Sequence, residues 1–373
     1  MPGSPSVIVV GAGVVGAACA EALAAAGCGV TVLEAAFAAA GATGAAMGHL
    51  ALMGESDAQL ALSSCSRRLW AERAAALPAE VEHQRCGTLW VAEEEEEMAQ
   101  VRAMAAAYAG RGEAVQVLDA AGLREAEPGL REGLAGALLV QDDRVLYGPA
   151  ATRWLLGEAV RLGAQPVRSG EAVEAVAPGR VRLGGAWLEA DHVLVAAGPA
   201  SPALVPGLPT VPRKGHLVVT ERYPGLLRHQ VLELGYTRSA RELARESVAF
   251  NVQPRATGQV LVGSSRELVG WDASVNRPLL ARMLRRAVAF MPGLGSLQVL
   301  RAWTGFRPAT SDKLPLIGAW EERLWIAAGH EGLGITTALG TAQLVCSLLL
   351  GRRPELDPAP FDPRRTMPEL ASL

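Results

Sequence analysis

Cysteine is scarce in this sequence and shows neither of the patterns that would give it a structural role. The five cysteines (Cys19, Cys28, Cys65, Cys86 and Cys346) are odd in number and include no C-x-x-C pair, and the six histidines show no metal-type spacing with them. These absences argue against a disulfide framework and against any metal site. The default expectation is a reduced, cytoplasmic enzyme.

Clustered positive charge is also missing. Lys and Arg number 35 against 38 Asp and Glu, so the formal net charge is −3 and no basic run is available for nucleic-acid phosphates. The apolar stretch Val7–Ala20 has no Lys or Arg before it and is interrupted by Glu21. We therefore expect no signal peptide, no integral membrane segment and no nucleic-acid partner.

The 373 residues are enough for two or three structural units around an enclosed cofactor. The opening segment, SVIVVGAGVVGAACAEALAAAGCGVTVLE, predicts a strand, a glycine turn, an alanine-rich helix and a second strand ending at Glu34. Apolar strands near 192–198 and 324–329 are typical of parallel strands buried on both faces, so the nucleotide domain is predicted to be discontinuous. The residues from about 354 onward predict a surface tail. A mostly antiparallel second sheet is indicated by 86–92, 216–221, 247–252 and 259–265.

Gly11, Gly13 and Gly16 form G-x-G-x-x-G between the first strand and the first helix. The first glycine allows the tight turn, the second lets the backbone approach a pyrophosphate, and the third brings the helix against the strand. Glu34, at the end of the next strand, would accept hydrogen bonds from the adenosine ribose hydroxyls. The pattern predicts a dinucleotide site and by itself leaves NAD and FAD open.

Three further features favour FAD. A second glycine-rich loop, with Gly41, Gly44 and Gly48, follows at once and would admit a bulky ring close to the backbone. Gly198 follows a buried strand, where a nucleotide would lie against the chain. The segment Ile326–Ile335 leads from a strand into an apolar helix, whose N-terminus would stabilise negative charge on a reduced flavin ring.

With these motifs together, the chain resembles the D-amino-acid oxidase superfamily of FAD enzymes, in the branch that contains glycine oxidase, sarcosine oxidase and related amino-acid dehydrogenases. The likeness covers nearly the whole length. It is carried by GAGVVG with Glu34, ATGAAMGHL, CGTLWVA, VLYGPA, ADHVLVAAGPAS, PRKGHLVVTE, GFRPATSDKLPLIG and AAGHEGLGIT. At a finer level, MGHLALM, FNVQPR and GHEGLGITT look like the cis-4-hydroxy-D-proline dehydrogenase group.

The resemblance implies an α/β (α+β) fold with a discontinuous Rossmann-like FAD-binding domain and a mostly antiparallel-sheet substrate domain that roofs the pocket over the flavin. The FAD-binding domain is expected at 1–85, 145–210 and 305–373. The substrate-binding domain is expected at 86–144 and 211–304.

The resemblance also places the FAD contacts on the glycine turn, the second loop, the adenine strand, the AAG segment and the start of the last helix. Sarcosine oxidases attach FAD through a cysteine near the GFRP motif, and since no cysteine occurs between Cys86 and Cys346, non-covalent FAD is expected. The expected FAD contacts are Gly11, Gly13, Val14, Val15, Gly16, Glu34, Ala35, Thr43, Gly44, Gly48, His49, Val173, Ala197, Gly198, Gly332, Leu333, Gly334, Ile335 and Thr336.

Arg307, in GFRPAT, matches the arginine with which the family binds the substrate carboxylate. The planar guanidinium fork suits that task because it gives two parallel charge-assisted hydrogen bonds. The alternative interpretation is a surface arginine before a proline.

The other candidate catalytic residues carry alternatives of their own. His49 would contact the substrate, tune the flavin ring or have a structural role only. Asn251 and Gln253 fall where relatives line the pocket, although the tyrosine found there in relatives is missing. Glu331 would pair with a substrate ammonium or hydroxyl or lie exposed on its loop. Tyr236 would close over the pocket or belong to the core. No residue stands out as a dedicated base.

The expected activity is FAD-dependent oxidation of the CH–N bond of a D- or cyclic secondary amino acid, proline-like or hydroxyproline-like, to an imine by hydride transfer to flavin N5. Sarcosine oxidases keep a lysine near the flavin for reaction with oxygen, whereas Lys214 and Lys313 here lie in motifs explained by structure. This favours a dehydrogenase that passes electrons to an acceptor protein or quinone. The alternatives are a peroxide-releasing glycine or sarcosine oxidase, a non-catalytic flavoprotein subunit of a larger complex, and a nicotinamide dehydrogenase. Whether the protein forms a homo- or hetero-oligomer is left open by the sequence.

Overall fold

The computed structural model describes residues 4–54, 56–235 and 246–368. The strands in chain order are β1 Ser6–Val10, β2 Gly29–Glu34, β3 His49–Leu50, β4 Gln84–Arg85, β5 Thr88–Ala92, β6 Val115–Asp119, β7 Gly136–Val140, β8 Arg144–Val145, β9 Arg168–Ser169, β10 Ala175–Ala177, β11 Arg180–Leu183, β12 Ala186–Glu189, β13 His192–Val195, β14 Val211–Arg222, β15 Gln230–Glu233, β16 Glu246–Pro254, β17 Gln259–Glu267, β18 Val299–Ala309, β19 Leu316–Glu321 and β20 Leu324–Ala328. The α-helices of the described residues are α1 Val14–Ala25, α2 Ala42–Ala45, α3 Asp57–Arg73, α4 Met98–Ala109, α5 Ala120–Ala126, α6 Gly148–Arg161, α7 Ser201–Leu204, α8 Arg277–Phe290 and α9 Gly334–Leu349.

A six-stranded sheet, in the order β19-β20-β13-β1-β2-β9, forms the first layer. β1 pairs in parallel with β2 and β13, β13 with β20, and β2 with β9, whereas β19 and β20 form an antiparallel pair. The Val and Ile side chains of β1 are buried, as expected for a strand covered on both faces. The predicted parallel strands near residues 192 and 324 are confirmed.

Small side chains let the first helix pack tightly against its neighbours. α1 packs against both α6 and α9, and its residues Ala17, Ala18 and Ala20 are each fully buried. A helix without bulky side chains at these positions can approach other helices closely, which gives a Rossmann-like layer of helices over the sheet. The beginning of α1 is thereby fixed at the end of β1.

An eight-stranded sheet, in the order β18-β14-β17-β16-β15-β5-β7-β6, forms the second layer. Its strands pair antiparallel, except that β15 and β5 are parallel. α8 packs on β16 and β17, where Phe250 and Phe290 stack with ring centroids 4.6 Å apart. The predicted combination of a parallel sheet and a mostly antiparallel sheet, an α/β (α+β) fold, is confirmed.

The prediction of a surface tail from residue 354 is wrong for part of that segment. Phe361 is 1% exposed and packs in the core beneath the parallel sheet. Arg365 binds both carboxylate oxygens of Asp312, at 2.7 and 2.8 Å. Because an aromatic ring and a paired guanidinium anchor it, this segment is part of the folded domain despite its many prolines.

Within residues 4–54, 56–235 and 246–368, no helix is long and apolar enough to cross a membrane. In the same residues, no group of three or more His, Cys, Asp or Glu side chains is arranged to hold a metal ion.

Candidate active site

A cavity of about 450 Å³ lies between the two sheets and draws its lining from both. Gly11 and Glu34 line it from the parallel sheet, while Leu217, Asn251 and Arg307 line it from the antiparallel sheet. Its size is within the range of small-molecule and cofactor sites. The fold therefore brings the predicted dinucleotide residues and the predicted substrate residues to one cavity.

The glycines of the turn after β1 serve two different purposes. Gly11 has a φ of +109°, and a Cβ there would lie 2.5 Å from the carbonyl oxygen of Ala196. A Cβ at Gly16 would lie 2.0 Å from the carbonyl oxygen of Gly11, so both positions need glycine for packing. A Cβ at Gly13 would meet only Thr43 Oγ1, at 3.4 Å, and Gly13 lines the cavity. Gly13 thus leaves room for a ligand at the start of α1, where the helix dipole favours phosphate.

Glu34 is held rigidly at the end of β2. Its two carboxylate oxygens accept hydrogen bonds from the backbone N–H groups of Ala12, at 2.8 Å, and Ala36, at 2.9 Å. A carboxylate oxygen has more than one lone pair, so Glu34 retains capacity to accept ribose hydroxyls from the cavity side. Together with the glycine turn, this donor and acceptor set fits the adenosine diphosphate part of FAD.

Most of the predicted cofactor contacts line the cavity. They are Gly11, Gly13, Val14, Val15, Glu34, Ala35, Thr43, Gly48, His49, Val173, Ala197, Gly198, Gly332, Gly334 and Ile335.

Four predicted contacts, Gly16, Gly44, Leu333 and Thr336, are not among the described residues that line the cavity. Gly16 is turned into the packing of α1, and a Cβ at Gly44 would lie 2.5 Å from the carbonyl oxygen of Ala39. Thr336 Oγ1 donates to the carbonyl oxygen of His49 at 2.9 Å, and Leu333 directly precedes α9. These residues hold the backbone that forms the cavity wall.

Arg307 lies on β18, and its guanidinium group rests against a glycine of the neighbouring strand β14. A Cβ at Gly215 would lie 2.3 Å from Arg307 Nη1, whereas a Cβ at Gly332 would lie at an ordinary 3.5 Å from Nε. Nη1 donates to the carbonyl oxygen of Ser265 at 3.1 Å. Arg307 is therefore half-buried in the cavity wall and is not the surface arginine of the alternative interpretation.

Glu331 lies beside Arg307 in the cavity wall, where it pairs with a second arginine. Its Oε1 is 2.7 Å from Arg213 Nη1, and the side chains are 12% and 5% exposed, respectively. Burial raises the pKa of Glu331, but Arg213, Arg307 and Arg266 outweigh this effect and hold that pKa below its usual value. Glu331 also has a left-handed φ of 49°. The ion pair thus holds the anionic side chain of a residue whose backbone conformation is uncommon.

His49 is held from both ring nitrogens. Nδ1 contacts Gln230 Oε1, and Nε2 lies 3.2 Å from Asn251 Nδ2. Burial lowers the pKa of His49 to about 4, so the ring is neutral near pH 7. His330 Nε2 lies 3.0 Å from Thr341 Oγ1, and burial lowers its pKa to about 3.

The remaining predicted residues lie elsewhere. Gln253 is not among the described residues of the cavity lining, and its Nε2 donates to the carbonyl oxygen of Met47 at 2.9 Å. Tyr236 lies outside the described residues. Lys214, 1% exposed, has its Nζ 3.2 Å from Glu267 Oε2 and 3.2 Å from Asp272 Oδ2. Its buried ion pair with Glu267 agrees with the structural role expected from the sequence.

Sequence reasoning missed several residues of the lining. For Ser264 a signal was available in the residue before it, Gly263, because a glycine inside a strand such as β17 often marks a close approach to a ligand or backbone. The missed residues include Met47, Leu217, Ser264, Phe306 and Pro308.

A glycine turn with a fixed carboxylate on one sheet and an arginine on the other line a single cavity, and the glycine turn with its carboxylate is typical of a dinucleotide-binding protein. The chain belongs to the DAO family of FAD dependent oxidoreductases, whose family model matches residues 6–348. FAD is the cofactor of this family.

The chain is also similar to individual curated proteins and to solved structures. The bifunctional protein ThiO/ThiG of Nostoc sp. is 30% identical over 93% of this chain and 53% of its own length. The hydrogen cyanide synthase subunit HcnC of Pseudomonas aeruginosa is 30% identical over 78% of this chain and 69% of its own length. The crystal structure of glycine oxidase from Geobacillus kaustophilus superimposes with a TM-score of 0.87 at 26% identity, covering 98% of this chain and 100% of that one. The matched region spans about half the length of the first curated relatives, namely 53% of the Nostoc protein and 50% of the glycine oxidase of Pseudomonas aeruginosa.

Proposed function

We propose that the protein oxidises the CH–N bond of a D- or cyclic secondary amino acid, proline-like or hydroxyproline-like, to the imine. The observation that carries this proposal is the position of Arg307, which lines the same cavity as the dinucleotide residues. A substrate carboxylate bound there would hold the rest of the molecule inside the cavity. Similarity to glycine oxidase supports an amino acid as substrate.

Positioning is the main contribution of the chain to this chemistry. Arg307 would bind the carboxylate through two charge-assisted hydrogen bonds and fix one end of the substrate. The start of α9, at Gly334 and Ile335, lines the cavity with the positive end of the helix dipole and favours negative charge there. FAD, when bound, supplies the acceptor for the hydride that leaves the carbon beside the substrate nitrogen.

The protonation states around Arg307 bear on how the substrate amine loses its proton. His49 and His330 are neutral and Glu331 is anionic near neutral pH, because their pKa values are lowered. None of the three changes charge between about pH 6 and pH 9. We therefore expect kcat/KM to rise with pH up to the pKa of the substrate amine itself, which a pH profile with two amino acids of different amine pKa would check.

We further propose that FAD is bound non-covalently and that electrons pass to an acceptor protein or quinone. All five cysteines are buried, and none is among the described residues that line the cavity. Neither Lys214 nor Lys313 is among those residues either. Denaturation with acid should release FAD into the supernatant, and flavin that stays with the precipitated protein would contradict the non-covalent attachment.

The decisive experiment is anaerobic mixing of the purified flavoprotein with a panel of D- and L-amino acids, including the proline and hydroxyproline isomers, glycine and sarcosine. We expect one structural group of them to bleach the flavin absorbance, and we expect Arg307→Ala to lose that reaction while retaining FAD. If no amino acid bleaches the flavin, the proposal is wrong.

A glycine or sarcosine type oxidase is the second candidate, favoured by the similarity to the glycine oxidases of Pseudomonas aeruginosa and Geobacillus kaustophilus. Aerobic turnover separates the two candidates. Stoichiometric hydrogen peroxide, with glycine or sarcosine as the best substrate, would favour the oxidase.

A further inference from the structure

Two apolar side chains of the cavity wall rest on a glycine of the antiparallel sheet. Leu217 on β14 and Met47 between α2 and β3 both line the cavity, and they are 6% and 7% exposed, respectively. A Cβ at Gly263 on β17 would lie 2.7 Å from Leu217 Cδ2 and 3.3 Å from Met47 Sδ. Because Gly263 has no side chain, both side chains pack directly on the sheet at the cavity.

Leu217 lies on the same face of β14 as the guanidinium group of Arg307. β14 pairs with β18 without a register shift from Val211 to Val219, so its side chains alternate regularly between the two faces. The guanidinium of Arg307 lies over Gly215, where a Cβ would be 2.3 Å from Nη1. Leu217 follows Gly215 on that face, about 6.8 Å further along the strand. It is therefore the next side chain along β14 from the guanidinium group.

Packed side chains support this part of the wall from behind. Leu217 and Met47 form an apolar cluster with Leu261, which is 2% exposed and is not among the described residues that line the cavity. Trp303 packs against the same cluster. The backbone of Met47 is also fixed, because its carbonyl oxygen accepts a hydrogen bond from Gln253 Nε2 at 2.9 Å. A ligand that reaches Leu217 therefore meets a supported apolar wall.

We propose that the substrate chain extends from the carboxylate at Arg307 along β14 toward Leu217, and that Leu217, supported by Met47, limits its length. The inference rests on the function proposed above, because it takes Arg307 as the carboxylate anchor. A carboxylate held about 2.8 Å from the guanidinium occupies the first part of the span between Gly215 and Leu217. The chain then meets Leu217 after a few carbon atoms. Leu217 is thus a specificity-determining residue that selects short substrates.

A series of straight-chain carboxylates, from acetate to octanoate, tests this inference without turnover. Each is titrated into the oxidised flavoprotein, with the dissociation constant taken from the change in flavin absorbance. Each buried methylene group should improve the affinity about fourfold, and the gain should stop and reverse once the chain reaches Leu217. The rate of anaerobic flavin bleaching by 2-amino acids of the same chain lengths is the second readout, and it should fall beyond the same length.

The variants move the wall or leave it in place. Leu217→Ala removes the outer carbon atoms of the side chain, so the ligand length that binds most tightly should increase by about two to three carbon atoms. Met47→Ala should increase it as well, and Leu217→Met, which conserves the volume, should keep it. Leu261→Ala is the matched control, because it removes the same atoms from the same cluster outside the described cavity lining. It should lower the thermal midpoint as Leu217→Ala does and keep the wild-type length.

The outcomes also distinguish this inference from the proposed function. If amino acids bleach the flavin but neither series shows a length limit in the wild type, the assignment of Leu217 is wrong and the proposed function stands. The same conclusion follows if Leu217→Ala keeps the wild-type limit, or if Leu261→Ala shifts it as far as Leu217→Ala does. If no carboxylate binds and no amino acid bleaches the flavin, both are wrong.

Discussion

Gly215 allows the role of Arg307 to be tested without changing the arginine. A Cβ at position 215 would lie 2.3 Å from Arg307 Nη1 and 2.8 Å from both Cζ and Nη2. The conflict is with the far end of a flexible side chain and not with backbone. Gly215→Ala should therefore move the guanidinium group and leave the strand pairing of β14 with β18 intact.

The size of the effect follows from the hydrogen bonds that the displaced guanidinium would lose. A hydrogen bond to a charged group contributes about 1.5–3 kcal/mol. Losing one such bond to a carboxylate corresponds to a weakening of about 10- to 150-fold in affinity. The test ligand is furan-2-carboxylate, titrated into the oxidised flavoprotein with the dissociation constant taken from the change in flavin absorbance. We expect Gly215→Ala to raise this dissociation constant by that factor, because the ligand offers a carboxylate and no amine.

The assay combines that titration with the FAD content and the thermal midpoint of the variant. Gly157→Ala is the matched control, since Gly157 is exposed in the interior of α6 and a Cβ there would meet no atom within 4 Å. It should bind the carboxylate like the wild type and be slightly more stable, by about 0.5–1 kcal/mol. If Gly215→Ala also binds like the wild type, Arg307 is not the carboxylate anchor.

Three further changes test other parts of the structure. Gly13→Ala should lower the affinity for FAD by about tenfold or more, because Gly13 lines the cavity at the start of α1. Fluorescence titration of the apoprotein would measure this affinity. Little change in the stability of the apoprotein is expected, since the added methyl group would meet only Thr43. Glu331→Gln should lower the free energy of unfolding in urea by about 3–5 kcal/mol, because it leaves the buried guanidinium of Arg213 without its anion, and an unchanged midpoint would show that the pair is dispensable. His330 has a folded-state pKa lowered to about 3, so its contribution to stability is complete above the unfolded pKa and is lost as the pH falls toward 3. His330→Asn should make the loss of stability between pH 7 and pH 5 smaller by about 2 kcal/mol, and equal losses in both proteins would contradict the assigned pKa.

Local patterns in the sequence were sufficient to predict the parallel sheet. β-branched runs, a G-x-G-x-x-G turn and an acidic residue at the next strand end form a unit whose parts are close along the chain, so β1, α1 and β2 could be predicted from spacing alone. The buried strands β13 and β20 were also predictable, because strands covered on both faces are continuously apolar. These predictions needed no knowledge of which distant segments meet.

The side-chain contacts on the antiparallel sheet could not be predicted in this way, because they depend on which distant segments meet. The guanidinium of Arg307 fits only because β18 pairs with β14 in the register that brings Gly305 opposite Gly215, and strand register cannot be read from either strand separately. The contact of His49 with Gln230 joins residues 181 positions apart. The sequence could suggest His49 and Asn251 as candidates, but their contact, with His49 Nε2 3.2 Å from Asn251 Nδ2, follows only from the fold.

A carboxylate anchor alone would not orient an amino acid in the site. A guanidinium that holds the carboxylate fixes one end of the substrate, but rotation about the bond from the carboxylate to the reacting carbon still exchanges the hydrogen, the amine and the side chain. A further contact must remove this freedom. Met47 and Leu217, which are 7% and 6% exposed and line the cavity together, form an apolar wall suited to the substrate side chain or ring. On the proposed function, the carboxylate anchor gives affinity, and the apolar wall determines which enantiomer presents its hydrogen to the flavin.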